Sequence, residues 1–272
     1  KYMKTNSMRL IALLSLALIL CFNQTKASDT TLTGNITMSG TWNTAMADTF
    51  RITSATLLSG RTLTIAPGVV VVIDGPFRIQ GDLTVMGTNT AKVIFTGDSA
   101  NTVSIMILNG ESNIQHAVFD DFYQLRVQTG ESNFENCEVR NLYQVLVESD
   151  TRFSQCTFES LSYGIRSTDY IELVQSVFRN IRGTDALYLL DGKFDIDGCE
   201  FYNNSRAMRI VFADGRVTNS VFKGNGDVNI SGGVMFNSSS SGISEVEFTY
   251  NTFDSMYVLG AEVPFSFPYQ LR

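Results

Sequence analysis

The chain has 272 residues, with 20 Lys and Arg against 27 Asp and Glu, and its formal net charge at pH 7 is −7. No cluster of basic residues interrupts this acidic balance, so we expect no electrostatic affinity for nucleic acid or for anionic membranes, and an acidic polysaccharide would need a local basic patch. His116 is the only histidine, which excludes metal sites that require two imidazoles.

Residues 1–27 have the composition of a secretory signal peptide. Basic residues precede thirteen apolar or small residues from Leu10 to Phe22, and a short polar run then ends at Ala27, a small residue suited to cleavage. Thirteen residues fall short of the ~20 that span a bilayer. We therefore expect cleavage after Ala27, no integral membrane span afterwards, and a secreted or cell-surface protein.

Residues 28–272 contain no Pro-, Ser- or Gly-rich linker, which predicts one domain. Within that domain we interpret residues 30–62 as an N-terminal cap. Residues 257–272, which contain four aromatic residues and two prolines, are expected to cap the other end.

A short phrase recurs seven times between Ser112 and Ser255, at a spacing close to twenty residues. Its copies are AVFDD (117–121), CEVRN (137–141), CTFES (156–160), SVFRN (176–180), CEFYN (199–203), SVFKG (220–224) and NTFDS (251–255). A fixed period in the twenties is typical of solenoids. Because one short strand recurs once per ~20 residues, the strands are expected to stack in parallel, one coil above the last, with right-handed crossovers.

Each coil has a regular distribution of side chains. The phrase alternates between inward apolar or small residues and outward polar ones, a second apolar pair follows after a turn, and a third apolar stretch leads back to the next phrase. The turn after the phrase carries mostly Asn, Asp and Ser, which favour such turns, and stacked Asn amides there can hydrogen-bond from coil to coil. Other bends are expected at Gly or Asp residues, Gly215 among them. Outward residues Asp120, Arg140, Glu159 and Arg179 alternate in charge and are expected to pair from coil to coil. No segment shows a helical period.

These phrases resemble the coils of right-handed parallel β-helix proteins, the pectin-lyase-like superfamily. Three upstream segments, 63–69, 81–88 and 93–96, resemble the first coils of secreted surface proteins of that kind. The resemblance implies an all-β, right-handed parallel β-helix solenoid of about nine or ten coils. It implies little about activity, because one fold hosts many functions.

The resemblance also suggests two kinds of enzyme chemistry. Glycosidases of this superfamily use paired carboxylates, and Asp120-Asp121 is the only Asp-Asp pair, although the other phrases that accompany such a pair are absent and both residues fit the structural columns. Lyases use Arg or Lys as a base, often with Ca²⁺, so Arg166 is the matching candidate. Asp195 and Asp197 could offer oxygens to such a cation, which needs six to eight ligands.

Other candidates follow from the residues alone. Tyr123, Tyr143 and Tyr163 recur at steps of 20 and could hold sugar rings, or could simply cover a corner of the solenoid. Arg126, Arg166 and Arg209 occupy equivalent places on the second strand and are expected to share a face.

His116 is interpreted as an exposed polar strand residue, at the position that Asn136 and Gln155 occupy in later coils. A catalytic role is not favoured, because no nucleophile is positioned beside it. Cys137 and Cys156 occupy equivalent places in adjacent coils, close enough for a disulfide, although free thiols packed among small residues are the simpler account.

The leading hypothesis is a non-catalytic extracellular or cell-surface module, structural or binding a polysaccharide or surface glycan, with the Tyr and Arg columns as its ligand-binding face. No cofactor or metal site is predicted for such a module. The alternative is a pectin-lyase-like polysaccharide lyase or glycoside hydrolase that uses Asp120, Asp121 or Arg166, with Ca²⁺ in the lyase case.

Overall fold

The structure, a computed structural model, describes residues 29–97, 103–226, 233–237 and 245–255, and all regular structure in them is β-strand. The strands form three parallel sheets that wind around one apolar core, and the first two long strands join two of these sheets into one continuous 19-stranded sheet. We number the sheets in the order in which each coil visits them. Sheet 1 contains the strands of the repeated phrases.

Sheet 1 is built almost entirely from three- to five-residue strands. Its strands are Thr30–Ile36, Thr49–Leu57, Val70–Ile73, Val93–Gly97, Ala117–Asp120, Glu138–Arg140, Thr157–Glu159, Val177–Arg179, Glu200–Tyr202, Val221–Lys223 and Thr252–Asp254. Each strand pairs in parallel with the strands of the neighbouring coils. The first two strands are longer and bend from sheet 1 into sheet 2.

Sheet 2 continues from those two long strands. Its other strands are Phe77–Ile79, Ser104–Ile107, Gln124–Val127, Gln144–Val147, Ile165–Ser167, Leu187–Leu190, Met208–Val211 and Val234–Asn237. These strands contain the second apolar pair expected in each coil, such as Leu125 and Val127, and both of those side chains are buried. The predicted second strand is therefore confirmed.

Sheet 3 forms the third side of each coil. Its strands are Gly40–Trp42, Thr62–Ile65, Asp82–Met86, Ser112–Gln115, Ser132–Glu135, Thr151–Ser154, Ile171–Val174, Lys193–Asp197, Asp214–Thr218 and Val246–Thr249. Its ten strands correspond to the nine or ten coils that the sequence predicts. Residues 30–62, interpreted above as a cap, supply the first strand of each sheet. Residues 1–28 and 256–272, which contain the expected signal peptide and C-terminal cap, lie outside the described residues.

Many of the corners turn at single residues with left-handed backbone. We call the turn from sheet 1 to sheet 2 corner 1, from sheet 2 to sheet 3 corner 2, and from sheet 3 to sheet 1 corner 3. Corner 2 has left-handed residues in some coils, among them Gly110, Gly130 and Phe212. From His116 onward, corners 1 and 3 have one at a fixed place in each described coil, and these residues are Asp121, Asn141, Ser160, Asn180, Asn203, Gly224 and Ser255 in corner 1 and His116, Asn136, Gln155, Gln175, Gly198, Asn219 and Tyr250 in corner 3. Their φ values lie between 48° and 63°.

The corner 3 residues correct two expectations from the sequence. His116 is not in a strand, because its φ of 48° breaks the extended backbone between sheets 3 and 1. The segment around Asn136 likewise forms two strands, Ser132–Glu135 and Glu138–Arg140, and the left-handed Asn136 lies between them. Gly215, predicted as a bend, lies inside the strand Asp214–Thr218. That coil turns instead at Phe212, whose φ is 53°.

The core is filled by stacked phenylalanines from sheet 1. Rings of successive coils lie with centroids 4.7–4.9 Å apart, close to the strand spacing. The stacked pairs are Phe95–Phe119, Phe158–Phe178, Phe178–Phe201, Phe201–Phe222 and Phe222–Phe253. Val139 interrupts the stack, and Phe134, which precedes it across corner 3 on sheet 3, stacks on Phe153 instead. The predicted inward column is confirmed.

Small residues at corner 3 form a second buried column. The Oγ of Ser176 accepts a hydrogen bond from the backbone N–H of Cys156, and Ser220 does the same for Cys199. Cys137, Cys156 and Cys199 are free, buried thiols. Burial raises the pKa of Cys199 from 9.0 to about 12 and raises that of Cys156 as well.

Candidate functional site

The outward face of sheet 2 carries a row of large side chains, which we call the arginine row. Strand pairing places Arg126, Leu146, Arg166, Tyr188 and Arg209 in one column, one residue from each successive coil. Because outward residues in register stand about 4.8 Å apart, neighbours in this row are in contact range. The predicted common face of the three arginines is confirmed.

Arg126 is engaged within the protein. Its Nε lies 2.8 Å from one carboxylate oxygen of Glu148, and its Nη2 lies 3.1 Å from the other. This two-point contact uses the geometry in which a guanidinium binds a carboxylate best. Arg126 is therefore neutralised by its own chain, and it is the member of the row least suited to recognising an anion.

Arg166 and Arg209 lie on either side of Tyr188. Their guanidinium carbons are 5.7 Å and 5.0 Å from the centre of the tyrosine ring, within the range of cation–π attraction. Among the described residues neither arginine has a carboxylate within 4.0 Å. Their Nε atoms are buried without a hydrogen-bond partner, while each side chain as a whole is partly exposed.

Tyr123, Tyr143 and Tyr163, which we call the tyrosine ladder, stack at corner 1. The rings of Tyr123 and Tyr143 are 4.8 Å apart and nearly parallel, at 9°, whereas Tyr163 lies 4.9 Å from Tyr143 and is tilted by 57°. Rings stacked in this way cover each other's faces, so a sugar ring cannot lie flat between Tyr123 and Tyr143. The edges and hydroxyl groups remain at the surface, where Tyr143 is 38% exposed.

The phenol of Tyr143 is held in its neutral form. Desolvation, followed by the neighbouring Tyr163 and Tyr123, raises its pKa above 10.0. A neutral phenol can both donate and accept hydrogen bonds. The tyrosine ladder therefore covers the corner and offers a line of hydroxyl groups along one border of the arginine row.

Corner 1 also contains a shallow, open depression in the coils that supply Arg166 and Tyr188. It is lined by Ser160, Leu161, Ser162, Asn180 and Arg182. The corner 1 segments are longer here than in the preceding coils, since seven residues separate Val177–Arg179 from Leu187–Leu190 and only three separate Glu138–Arg140 from Gln144–Val147. The longer segments raise a polar rim beside the arginine row.

Buried polar side chains on the core side of these corner segments stabilise them, and the sequence analysis did not identify these residues. Asp185 and Arg206, both nearly inaccessible, form an ion pair of 2.6 Å. Asn204 and Asn225 form a buried ladder, in which the Nδ2 of Asn204 donates both to the Oδ1 of Asn225 and to the backbone oxygen of Phe178. The amide ladder expected at the turn column thus occurs one residue later, because the turn residue itself is left-handed and points outward.

The paired acids Asp120 and Asp121 are part of the scaffold. Asp120 accepts hydrogen bonds from the Nε of Arg140 at 2.9 Å and from the Nδ2 of Asn141 at 2.8 Å. Asp121 is a left-handed residue of corner 1. Arg166 lies on another sheet, two coils further along, so the structure does not bring these three candidate catalytic residues together.

Asp195 and Asp197, considered above as oxygen ligands for a cation, are also bound to neighbouring side chains. Asp195 pairs with Arg216 at 2.5 Å. Asp197 accepts hydrogen bonds from Thr218 and Asn219, both at 2.7 Å, which lower its pKa. Within the described part of the chain, no three His, Cys, Asp or Glu side chains are arranged to hold a metal ion.

The charge ladder predicted on sheet 1 is present as discrete pairs. Arg140 contacts Asp120 at 2.9 Å, and Arg179 contacts Glu159 at 2.8 Å. Sheet 3 has a similar ladder, in which Arg152 contacts Glu172 at 2.9 Å. On the outward faces of sheets 1 and 3, most charged side chains are thus paired with an opposite charge on the same sheet.

Tyr188 is the residue that makes sheet 2 different, and neither a repeat phrase nor a fixed spacing had indicated it.

None of the described residues forms a helix that is long and apolar enough to cross a membrane.

A family model described as right-handed β-helix region matches residues 123–262, more than half of the chain. The match includes the whole tyrosine ladder and the whole arginine row, and it agrees with the handedness expected from the sequence. No curated protein and no solved structure matches the chain.

Proposed function

The chain belongs to the right-handed β-helix family, and from that premise we propose that it is a non-catalytic module of the cell surface or extracellular space that binds glycans through the outward face of sheet 2. The fold supplies a rigid, extended surface on which one outward residue per coil repeats at a fixed distance. Long polymeric ligands suit such a surface, because they can contact several coils at once.

The observation that carries the proposal is the contrast between the three faces. Outward arginines on sheets 1 and 3 are used in ion pairs between coils, whereas Arg166 and Arg209 lie against Tyr188 and have no carboxylate within 4.0 Å among the described residues. The tyrosine ladder and the depression at corner 1 border the same face. Polar groups left available beside an aromatic ring are what glycan recognition requires.

Several contacts favour a binding role over catalysis. Asp120 has both oxygens in contact with Arg140 and Asn141, so it lacks a position from which to protonate a leaving group. Asp195 and Asp197, the candidate oxygens for Ca²⁺, are likewise committed to neighbouring side chains. The location at the cell surface or beyond it rests on the signal-like composition of residues 1–27.

A screen against polysaccharides tests the proposal. Residues 28–272 would be assayed for binding to neutral and anionic polymers, and for release of reducing or unsaturated ends, with and without Ca²⁺. We expect binding without turnover. Turnover that Arg166→Ala or the pair Asp120→Ala and Asp121→Ala abolishes would establish an enzyme instead, and absence of binding to every polymer would leave a structural role.

A further inference from the structure

We propose that Arg166, Tyr188 and Arg209 form a clamp for oxyanion groups, either carboxylates or sulfate esters, carried by the ligand. This inference rests on the proposed glycan-binding function and specifies the chemistry of the ligand at the same face. It does not require the tyrosine ladder to stack against sugar rings.

The local charge is the first argument. The chain is acidic overall, yet the outward face of these three coils carries two guanidinium groups without a counterion among the described residues. Seven other arginines contact a carboxylate, namely Arg51, Arg126, Arg140, Arg152, Arg179, Arg206 and Arg216. Among the described residues Arg61, Arg78 and Arg182 have no such contact either, but Arg166 and Arg209 are the two that flank one tyrosine ring. Two cations without a counterion, held close together on an acidic chain, create a local positive potential that attracts anions.

The orientation of the two side chains is the second argument. The Nε atoms of Arg166 and Arg209 are buried, whereas each residue is partly exposed, so the terminal Nη groups are the part that reaches the surface. The ring of Tyr188 between them restricts both guanidinium groups to defined positions. A fixed, planar guanidinium binds carboxylate, sulfate or phosphate oxygens with less loss of side-chain freedom than a mobile one.

The spacing is the third argument. Arg166 and Arg209 are separated by two steps between coils, which corresponds to about 10 Å at the usual strand spacing. Two anions bound at once would therefore be about 10 Å apart along the solenoid axis. Arg182 lies at the depression of corner 1 in the coil of Tyr188, so a third cation stands at the side of the clamp.

The test compares two double variants that remove the same charge. Arg166→Gln with Arg209→Gln removes the clamp, while Arg140→Gln with Arg179→Gln removes two paired arginines from sheet 1. Binding would be measured by calorimetry for dextran sulfate, polygalacturonate and neutral dextran. Tyr188→Phe keeps the ring and Tyr188→Ala removes it. All variants would be compared by their thermal unfolding, to ensure that each is folded.

We expect the clamp variant to weaken binding of an anionic polymer at least about tenfold, since hydrogen bonds to charged groups are lost. The sheet 1 variant should change it less than about twofold, because its arginines are already neutralised. Tyr188→Phe should retain affinity and Tyr188→Ala should reduce it. The preferred polymer, dextran sulfate or polygalacturonate, distinguishes sulfate from carboxylate.

Three results would overturn the clamp. Equal losses in both double variants would mean that net charge alone governs binding. Tight binding of neutral dextran that the clamp variant leaves unchanged would preserve the proposed module and remove the clamp. Failure of the wild-type protein to bind either anionic polymer would also refute the clamp. The glycan-binding function would then be refuted as well only if other neutral glycans fail to bind.

Discussion

Left-handed backbone at single residues determines where each coil turns. From His116 onward, corners 1 and 3 each have one such residue at a fixed place in every described coil, and most are Asn, Asp, Ser, Gln or Gly. Asn and Asp tolerate this conformation because a short polar side chain can bond to nearby backbone. Gln155 and Gln175 lack that advantage, but the amide of Gln155 donates to that of Gln175 at 3.2 Å across coils. The contact between coils supports a residue that is locally unfavourable.

The buried thiols at corner 3 predict a loss of stability in alkaline solution. Burial raises the pKa of Cys199 from 9.0 to about 12, so the native protein retains a proton that the unfolded chain releases. Stability from this group is complete below pH 9 and falls as the pH rises toward 12. We expect the midpoint of guanidinium unfolding to decrease between pH 8 and pH 10.5.

Cys199→Ala provides the control, because Ala117 occupies the equivalent place in an earlier coil. This variant should show a smaller decrease over the same pH interval. An identical decrease in both proteins would show that other groups, such as the tyrosines, account for it.

At the scale of the strands, the core is filled by large side chains from more than one sheet. Val139 occupies the sheet 1 position at which its neighbours carry Phe119 and Phe158. Across corner 3 from Val139, sheet 3 contributes Phe134, which stacks on Phe153 at 4.7 Å and lies 6.1 Å from Phe119. Val139 and Phe134 are both fully buried, so neither side chain has room toward solvent.

The burial of Val139 predicts that Val139→Phe destabilises the protein, although it would complete the phenylalanine stack. A ring added at a fully buried position must displace its neighbours, and overpacking of this kind costs about 1–3 kcal/mol. Chemical denaturation of the variant would measure the change. Val177→Phe, at an outward and partly exposed position of sheet 1, should stay within about 0.5 kcal/mol of wild type. If Val139→Phe were as stable as wild type, the core would contain space at that coil.

At the scale of the whole molecule, the protein is a stack of units that contact mainly their neighbours. Every strand of sheet 3 pairs only with the strands of the coils on either side. The last described coil leaves Phe253 48% exposed, so its end of the stack has apolar surface that a further segment of the chain could cover. Stability in such a stack is a sum of coil and interface contributions.

Removal of one complete coil should therefore leave a folded, shorter protein. Deletion of residues 157–176 joins Cys156 to Val177, and Val177 is the register partner of Thr157, so each inward column continues. We expect a cooperative unfolding transition by circular dichroism and a length shorter by about 4.8 Å in small-angle scattering.

Deletion of only residues 157–166 is the matched control. It removes half a coil and places Ser167 and the corner 2 residues 168–170 where sheet 1 residues belong, so the variant should not fold. If both deletions behaved alike, the coil would not be the folding unit.

The sequence was sufficient to predict the all-β class, the parallel stacking and the inward columns of phenylalanine and small residues. These features depend on alternation within a strand and on a period near twenty, both of which are readable along the chain. Corner 3 was the exception. Gln155 and His116 were interpreted as strand residues because a left-handed residue between two short strands leaves the alternation on either side almost unchanged.

The candidate site was only partly predictable. The sequence by itself determined that Arg126, Arg166 and Arg209 face outward from the second strand. Only the tertiary structure decided that Glu148 neutralises Arg126 and that Tyr188 stands between the other two. Arg166, Tyr188 and Arg209 are 22 and 21 positions apart because the corner 1 segments vary in length, so no constant period aligns them. Strand pairing brings them together, and it depends on backbone hydrogen bonds between coils rather than on spacing along the chain.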